Sequence, residues 1–406
     1  MMDMTDYLPH LQWIDGQESR MIDLLTGWVN VNSGTQNLPG LNEVLTLLEE
    51  EFSKLGGENE RITLDPQQLE HSTGTPVQLP LGRALLIRKR PTAAFRVLLC
   101  CHMDTVYAAD HPFQKAVRVA DNILRGPGVT DAKGGLMVML VALQAFERSP
   151  WAEKVGWEVL INPDEEIGSP GSAPLLIQAA KRNHLGLVFE PSLPDGNLVG
   201  ARKGSGNFTV IARGKAAHAG RNPQLGRNAI DALARFIVGL ASLAGSGDGI
   251  TTNVGYIQGG GPVNVVPDLA ECRFNVRITT PDDQRAFEQG LKRLSEEINR
   301  IDGISLELHG RFTRPPKPLD AKTLRLLEQV AACGRDLGLS LQWRPTGGAC
   351  DGNNLAAAGL STIDSLGVTG GDIHSSEEYI LLDSLVERAR LTALLLMKLA
   401  AGEIEL

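Results

Sequence analysis

Five side chains of the kinds that bind divalent metals follow apolar or glycine-rich stretches of this 406-residue chain. They are His102, Asp131, Glu166, Glu190 and His374. The first follows the apolar run 97–101, the third follows the run 159–161, and the fourth follows 187–189. Open α/β sheets build their active sites where polar side chains follow the ends of buried strands. One site holding two metal ions is the simplest interpretation of this spacing.

The segments around these residues form five short motifs in a fixed order. The motifs are His-x-Asp-Thr-Val at His102, Gly-Pro-Gly-x-x-Asp-x-Lys-Gly at Asp131, Asp-Glu-Glu-x-Gly-Ser at Glu166, Phe-Glu-Pro at Glu190 and Gly-x-x-x-His-Ser at His374. Together they resemble the M20 di-zinc metallopeptidases of the glutamate carboxypeptidase G2, acetylornithine deacetylase and succinyl-diaminopimelate desuccinylase type. The resemblance extends from about residue 24 to the C-terminus. Each motif alone is weak, but the combination is specific.

The resemblance implies two zinc ions per subunit, which Co²⁺ or Mn²⁺ could replace. Asp131 would bridge both ions. His102 and Glu190 would complete the ligands of one ion, and Glu166 and His374 those of the other. Nitrogen and oxygen ligands without cysteine suit these metals. The family often has a cis peptide bond after the bridging carboxylate, which here would join Asp131 to Ala132.

Two further acidic residues receive catalytic roles from the resemblance. Asp104 would hydrogen-bond the second nitrogen of His102 and so fix its tautomer. Glu165 would act as the general base that takes a proton from a metal-bridging water and delivers it to the leaving amine. Without the resemblance, other interpretations remain open. His102 and Asp104 fit an ordinary turn after a strand, Asp131 fits a helix N-cap, and the Glu165–Glu166 pair fits a solvated turn.

Four more residues would contact the substrate. His218, in the segment 214–223, matches a histidine that reaches into the neighbouring subunit's site in dimeric members and stabilises the oxyanion. Asn264 matches a position near the substrate. Arg277 matches an arginine that holds the substrate carboxylate, although an exposed strand residue is its simpler interpretation without the family. Arg314 lies where a carboxypeptidase G2-like enzyme places an arginine near an acidic side chain.

These assignments predict a hydrolase that cleaves a peptide or N-acyl amide bond next to a free carboxylate, with a C-terminal Glu or Asp as the first expectation. An N-acyl-amino-acid deacylase of the acetylornithine deacetylase type is the alternative with the same chemistry. A non-catalytic binding protein on the same fold is a third possibility, and the presence of the base and of every ligand disfavours it. The glycine-rich segments form neither a Walker nor a Rossmann fingerprint.

Composition limits the partners. The formal net charge of −9 and the lack of a long basic block argue against nucleic acid. The sequence predicts no membrane-spanning run, and its acidic N-terminus does not resemble a signal peptide. The 5 cysteines form no Cys-x-x-Cys pair, which predicts reduced, buried thiols. We therefore expect a cytoplasmic protein, and the resemblance implies a homodimer.

The elements that must position these residues alternate between strand and helix patterns. In the first half, strands are predicted at 83–89, 95–101, 157–161 and 185–189, and helices at 43–55, 134–146 and 172–181. Apolar strands alternating with helices predict an α/β fold with a mostly parallel sheet and helices on both of its faces. After the proline-rich stretch 314–318, helices are predicted at 321–337 and 381–401.

The pattern changes near residue 204. Strands are predicted at 206–213, 252–258, 270–278 and 305–309, with helices at 227–243 and 281–300. Strand–helix–strand–strand–helix–strand is the ferredoxin-like order. The resemblance implies that this α+β unit is inserted into the catalytic domain as a lid and dimerisation surface. The predicted boundaries are 1–203 and 315–406 for the catalytic domain and 204–314 for the inserted domain.

Overall fold

A computed structural model describes residues 4–70, 76–244 and 249–404. Its helices are α1 (Met4–Asp15), α2 (Glu18–Val29), α3 (Leu38–Phe52), α4 (Gly134–Glu147), α5 (Ala173–Arg182), α6 (Ala229–Leu243), α7 (Pro281–Asn299), α8 (Ala321–Asp336), α9 (Asp351–Ala357) and α10 (Asp383–Ala401). Shorter helical turns cover Ser53–Leu55, Val129–Lys133, Ala152–Lys154, Glu165–Ile167 and Pro223–Leu225.

The strands of the first half are β1 (Glu58–Thr63), β2 (Gln67–Glu70), β3 (Pro76–Leu79), β4 (Arg83–Lys89), β5 (Phe95–His102), β6 (Val117–Ala120), β7 (Ile123–Arg125), β8 (Val155–Asn162), β9 (Leu185–Val188) and β10 (Leu198–Arg202). Those of the second half are β11 (Gly204–Arg213), β12 (Ala217–His218), β13 (Ile250–Gly259), β14 (Val265–Val266), β15 (Leu269–Ile278), β16 (Ser305–Arg314), β17 (Trp343–Thr346), β18 (Thr362–Ile363), β19 (Gly370–Gly371) and β20 (Tyr379–Leu381).

The central sheet has the order β1-β4-β8-β5-β9-β18. Strands β8, β5, β9 and β18 run parallel, while β4 is antiparallel to both of its neighbours. The predicted mostly parallel sheet is therefore confirmed. Because the parallel strands point the same way, their carboxyl ends meet at one edge of the sheet.

Apolar side chains cover both faces of this sheet. In β5, Val97, Leu99 and Cys101 join a core with residues of α4 and α10. Leu98 and Cys100 point the other way, into a smaller core with residues of α5 and α9. This alternation is the period of two that a strand imposes on its side chains. Packing on both faces fixes the end of β5, from which His102 projects.

A second sheet has the order β13-β15-β11-β16, and its neighbouring strands are all antiparallel. Helices α6 and α7 contact each other and β15, so they cover the same face. A separate apolar core, which includes Phe208, Phe236, Phe274 and Phe287, lies between the helices and the sheet. The strand and helix order is the predicted ferredoxin-like one.

The chain enters and leaves the second sheet at two adjacent crossings. Arg202 ends β10 before the first crossing, and Arg314 ends β16 before the second. The backbone of Arg202 exchanges two hydrogen bonds with Lys317, at 2.9 and 3.0 Å. A side chain at Gly204 would meet the carbonyl of Arg314 and the nitrogen of Pro316 at 2.8 Å, so the crossings pack closely only with glycine there.

Element boundaries differ from prediction where caps decide them. Helix α3 begins at Leu38 rather than 43, because the Asn37 side chain accepts a hydrogen bond from Gly40 and starts the helix earlier. Strand β16 continues five residues beyond the predicted 309, to Arg314. The short strands and α9 lie in segments with no strong apolar period, so no local pattern predicts them.

Two predictions from composition can be compared with the structure. All five cysteines are free and buried, as predicted. In the described part of the chain, one helical segment, Val129–Glu147, is long and apolar enough to span a membrane. Its most apolar window is 94% buried inside the protein, which is the environment of a core helix.

Candidate active site

The predicted metal-binding side chains converge at the carboxyl edge of the central sheet. His102 is the last residue of β5, and Glu190 follows two residues after β9. Glu166 lies in the turn that follows β8, and Asp131 lies in the turn that precedes α4. The strands thus bring together side chains that are far apart in sequence, as parallel sheets do at this edge.

Three buried residues form the first donor group: His102, Asp131 and Glu190. Nε2 of His102 lies 3.0 Å from Oδ1 of Asp131 and 3.8 Å from Oε1 of Glu190. One donor atom from each residue lies within 4.8 Å of the other two. One nitrogen and two carboxylate oxygens are a ligand set that zinc accepts.

The second donor group contains Asp131, Glu166 and His374. Nε2 of His374 lies 3.4 Å from Oδ2 of Asp131 and 3.2 Å from Oε2 of Glu166. Asp131 therefore belongs to both groups, with Oδ1 facing His102 and Oδ2 facing His374. His374 is the exposed member, with 51% of its side chain accessible, so this group lies at the open side of the site.

Asp104 holds the ring of His102 and the backbone of Glu165 and Glu166. Its backbone carbonyl lies 3.0 Å and its Oδ1 lies 3.3 Å from Nδ1 of His102, the nitrogen that faces away from Asp131. The same carboxylate accepts the backbone N–H groups of Glu165 and Glu166 at 3.1 and 3.2 Å. The Thr35 hydroxyl donates to it at 2.7 Å. Such partners commonly orient metal-binding histidines.

The backbone of the turn that carries Asp131 is held by Glu378, a residue that sequence analysis missed. The peptide bond between Asp131 and Ala132 is cis, as the resemblance predicted. Glu378 is 1% exposed and accepts the N–H groups of Gly128, Thr130 and Asp131 at 2.9–3.0 Å. The signal available in the sequence was a second acidic pair, 377–378, shortly after His374.

Two of the alternative interpretations do not match this geometry. Asp131 does not cap α4, since the N-cap position is Lys133 and no side chain caps it. The Lys133 ammonium instead donates to the carbonyls of Trp28 and Val31, and burial lowers its pKa to about 7. Glu165 and Glu166 are not a solvated turn, because their side chains are only 11% and 7% exposed.

The site concentrates buried acidic groups whose charge is only partly compensated. Burial raises the pKa of Glu165 to about 7 and of Glu166 to about 8. It also raises the pKa of Glu190 well above its usual range. Burial acts the same way on Asp131, but hydrogen bonds with His102 and His374 outweigh it and lower that pKa. Four carboxylates gathered around two imidazoles fit divalent cations, which would neutralise them.

Arg314 lies buried beside the predicted base. Its side chain is 3% exposed, and its guanidinium already contacts Glu165, Ser169 and Asp351 at 2.6–2.8 Å. A guanidinium so enclosed has little free surface to offer an acidic substrate side chain. In this structure Arg314 contacts the predicted base, and its contact with a substrate side chain stays a prediction.

The other predicted substrate residues lie in the second sheet and its loops. His218 is exposed in β12, and its Nδ1 accepts the N–H groups of Gly220 and Arg221 at 3.1 and 3.2 Å. Asn264 lies beside it, since its carbonyl accepts the N–H of Ala219 at 2.9 Å. In the described part of the chain, neither residue has a hydrogen bond or ion pair with the donor groups.

Arg277 lies on β15, away from those two loops. It is half-buried, and its Nε donates to Oδ1 of Asn275 at 3.1 Å. Burial lowers the pKa of its guanidinium. No carboxylate pairs with this side chain among the ion pairs of the described residues. The geometry thus leaves Arg277 available to an anionic group, and it brings neither Arg277 nor His218 to the donor groups of the same chain.

Comparison with known proteins identifies relatives of this chain. The family model described as peptidase family M20/M25/M40 matches residues 98–398. Carboxypeptidase G2 from Pseudomonas sp. (strain RS-16) is 28% identical over 393 residues, which cover 95% of this chain and 91% of that protein. A succinyl-diaminopimelate desuccinylase from Pseudoalteromonas translucida is 28% identical over 282 residues, which cover 66% of this chain and 73% of that protein.

Solved structures share the fold. An M20 family metallo-carboxypeptidase from Sulfolobus solfataricus superposes with a TM-score of 0.72 at 17% identity, covering 94% of this chain and 99% of that chain. Aminopeptidase PepT from Bacillus cereus superposes with a TM-score of 0.70 at 22% identity, with the same coverage of both chains. At these identities the likeness shows the arrangement of the α/β core and the second sheet.

Proposed function

The chain belongs to the M20/M25/M40 peptidase family, and we propose that it is a di-zinc hydrolase that cleaves an amide bond next to a free carboxylate. Membership makes it a metallohydrolase of the carboxypeptidase or desuccinylase kind. The observation that carries the finer proposal is the pair of donor groups that share Asp131. A shared carboxylate is what two-metal hydrolytic sites use to hold their ions close together.

In this proposal one ion is held by His102, Asp131 and Glu190, and the other by Asp131, Glu166 and His374. When bound, the ions would polarise the scissile carbonyl and lower the pKa of a water between them toward about 7. Zinc suits the mixture of imidazole and carboxylate ligands, and Co²⁺ or Mn²⁺ could replace it.

Glu165 is the proposed general base. Its backbone N–H is fixed by Asp104, and its side chain lies on the same turn as Glu166. The carboxylate takes one proton from the attacking water as the water oxygen bonds to the carbonyl carbon. It returns that proton to the amine nitrogen as the C–N bond breaks, which leaves a carboxylic acid and a free amine.

We propose that residues 204–314 form a lid and dimerisation domain inserted between 1–203 and 315–406. The exposed His218 and its neighbour Asn264 would then act on the site of a second subunit, where the imidazole stabilises the developing oxyanion. In the described part of the chain neither residue has a hydrogen bond or ion pair with its own donor groups, and this supports an action across a dimer. The five buried thiols support a cytoplasmic location.

The substrate class follows from Arg277 and from the names of the relatives. A half-buried guanidinium without a carboxylate partner suits a substrate with a free α-carboxylate. The carboxypeptidase relative spans nearly the whole chain, and this supports removal of a C-terminal residue. A C-terminal Glu or Asp remains the first substrate that we propose. The desuccinylase relative supports the second candidate, hydrolysis of an N-acyl amino acid by the same machinery.

A hydrolysis screen with the Zn²⁺-loaded protein tests this proposal. The substrates are N-acyl amino acids and dipeptides in which the acyl group and the C-terminal residue vary independently. A carboxypeptidase is selective for the C-terminal residue and tolerant of the acyl side, whereas a deacylase shows the opposite preference. If the folded, zinc-loaded protein hydrolyses none of these substrates, the proposed activity is refuted.

A further inference from the structure

The proposed base is in contact with a buried arginine that the reaction above does not use. Nη2 of Arg314 lies 2.7 Å from Oε1 of Glu165 and also donates to the backbone carbonyl of Glu165 at 3.2 Å. The guanidinium thus donates hydrogen bonds to both the side chain and the main chain of Glu165. A planar guanidinium with fixed donor directions restrains the orientation of a carboxylate as well as its charge.

Asp351 in turn orients Arg314. Its Oδ1 accepts from Nη1 of Arg314 at 2.6 Å, and its Oδ2 accepts from Nδ2 of Asn162 at 2.8 Å. The Ser169 hydroxyl lies between them, within 2.8 Å of the guanidinium and 2.5 Å of Asp351. Asp351 is 2% exposed and Asn162 is fully buried. The guanidinium is therefore held in place by the protein before any substrate arrives.

Helix α9, which provides Asp351, also contacts both crossings of the chain. Nδ2 of Asn353 donates to the carbonyl of Lys203 at 3.2 Å and to the carbonyl of Pro315 at 2.7 Å. Arg314 is the last residue of β16, at one of these crossings. The position of the guanidinium therefore depends on how the second sheet joins the central one.

A second buried arginine lies at the other crossing and provides a natural control. Arg202 is 9% exposed, and its guanidinium pairs with both carboxylate oxygens of Asp364 at 2.6 and 3.0 Å. In the described part of the chain it has no hydrogen bond to Glu165. The two arginines thus share burial, an aspartate partner and a crossing, and differ in their contact with the base.

We propose that Arg314 is a positioning residue for the proposed base: Asp351 orients its guanidinium, and the guanidinium orients the Glu165 carboxylate beside the donor groups. The inference rests on the proposed function, because the orientation matters only if Glu165 transfers the proton. Arg314 acts through Glu165 and does not need to touch the substrate. A misplacement of about 1 Å in such a group can cost about 10²-fold in rate.

The test compares Arg314→Met with Arg202→Met, each in wild-type and Glu165→Gln backgrounds. Single-turnover product formation, KM, zinc content and thermal unfolding are measured for every variant. In the wild-type background, Arg314→Met should lower kcat by about 10²-fold with KM and zinc content near wild type. Arg202→Met should change kcat much less. Arg314→Lys should recover part of the rate, because it keeps the charge but cannot span Glu165 and Asp351.

The Glu165→Gln background gives the deciding result. If Arg314 acts through Glu165, then Arg314→Met should cause no further loss of kcat there. A full additional loss, or an equal loss of kcat in Arg202→Met, would overturn the positioning role while leaving the proposed function intact. Full activity of Glu165→Gln alone would overturn the positioning role together with the assignment of Glu165 as the base, and the hydrolase activity itself would stand. If Arg314→Met does not fold, Asp351→Asn takes its place, since it keeps the side-chain size and removes the charge that orients Arg314.

Discussion

Glu378 accepts a hydrogen bond from the backbone N–H of Asp131 at 3.0 Å. The same carboxylate accepts the N–H groups of Gly128 and Thr130 and the hydroxyl of Tyr107, all at 2.8–3.0 Å. Four donors on one buried side chain fix the turn from which the shared carboxylate of Asp131 projects. Glu378 therefore supports the candidate metal site through the backbone rather than through a ligand atom.

Replacing Glu378 by glutamine should weaken metal binding. The amide keeps the size of the side chain, but its NH₂ group would face backbone N–H donors in place of a carboxylate oxygen. We expect zinc affinity to fall by about 10- to 100-fold, the range typical for partners of metal ligands. Competition with a chelator measures it. Glu377→Gln is the matched control, since the neighbouring side chain is 66% exposed and pairs with Arg125. Equal affinities in the two variants would contradict this role for Glu378.

Replacing Glu165 by glutamine should slow the chemical step and spare the metal site. Glutamine keeps the shape of the side chain but accepts no proton from water. We expect kcat to fall by about 10²-fold or more, the low end for general acid–base catalysis, with zinc content near wild type. Steady-state kinetics and elemental analysis of the same preparation measure both. Unchanged kcat would assign the proton transfer to a different carboxylate.

If His218 acts across a dimer, two inactive variants should complement each other. Mixing His218→Ala with Glu165→Ala subunits should restore some turnover, because hybrid dimers contain one site with both an intact base and an intact partner histidine. The control mixes Glu165→Ala with Glu166→Ala subunits. Each site of a hybrid dimer then still lacks one of its own glutamates, so no rescue is expected. Absence of rescue in the first mixture, with subunit exchange demonstrated, would show that His218 does not act on a second subunit.

Arg277→Ala should lower kcat/KM for substrates with a free α-carboxylate. Leaving that carboxylate without its guanidinium partner in a partly buried site costs several kcal/mol. An amidated analogue should be a poor substrate of the wild type and lose little more in the variant. Arg273→Ala is the control, because Arg273 lies on the same strand and stacks on Tyr256 at 4.8 Å instead. Equal wild-type rates on free and amidated substrates would refute the carboxylate anchor and favour an aminopeptidase.

Local sequence patterns predicted the central strands and the groups that gather at their ends. Buried runs such as 97–101 and 159–161 reveal strands because both faces of a parallel sheet are apolar. The polar residues within a few positions after them, including His102 and Glu166, then lie at one edge of the sheet. The fold class was therefore accessible from the pattern, and the two donor groups from the motifs.

The partners of these residues were not accessible in the same way. Glu378 meets Asp131 across 247 residues of sequence, and Asp351 meets Asn162 across 189. No local period marks such pairs, since only the tertiary fold brings them together. For the same reason the contact of Arg314 with Glu165 was not predicted. Its position in the chain suggested the substrate, but burial and the nearby Asp351 carboxylate hold it against the base.

The central claim is a two-metal site that shares Asp131, and the zinc stoichiometry tests it most directly. Protein stripped with a chelator, titrated with Zn²⁺ and freed of excess ion should contain two equivalents per chain by elemental analysis, and activity should return with the metal. His374→Ala should retain one equivalent, because the group of His102, Asp131 and Glu190 remains intact. A wild-type stoichiometry that stays at one or zero under saturating Zn²⁺ would contradict the shared site.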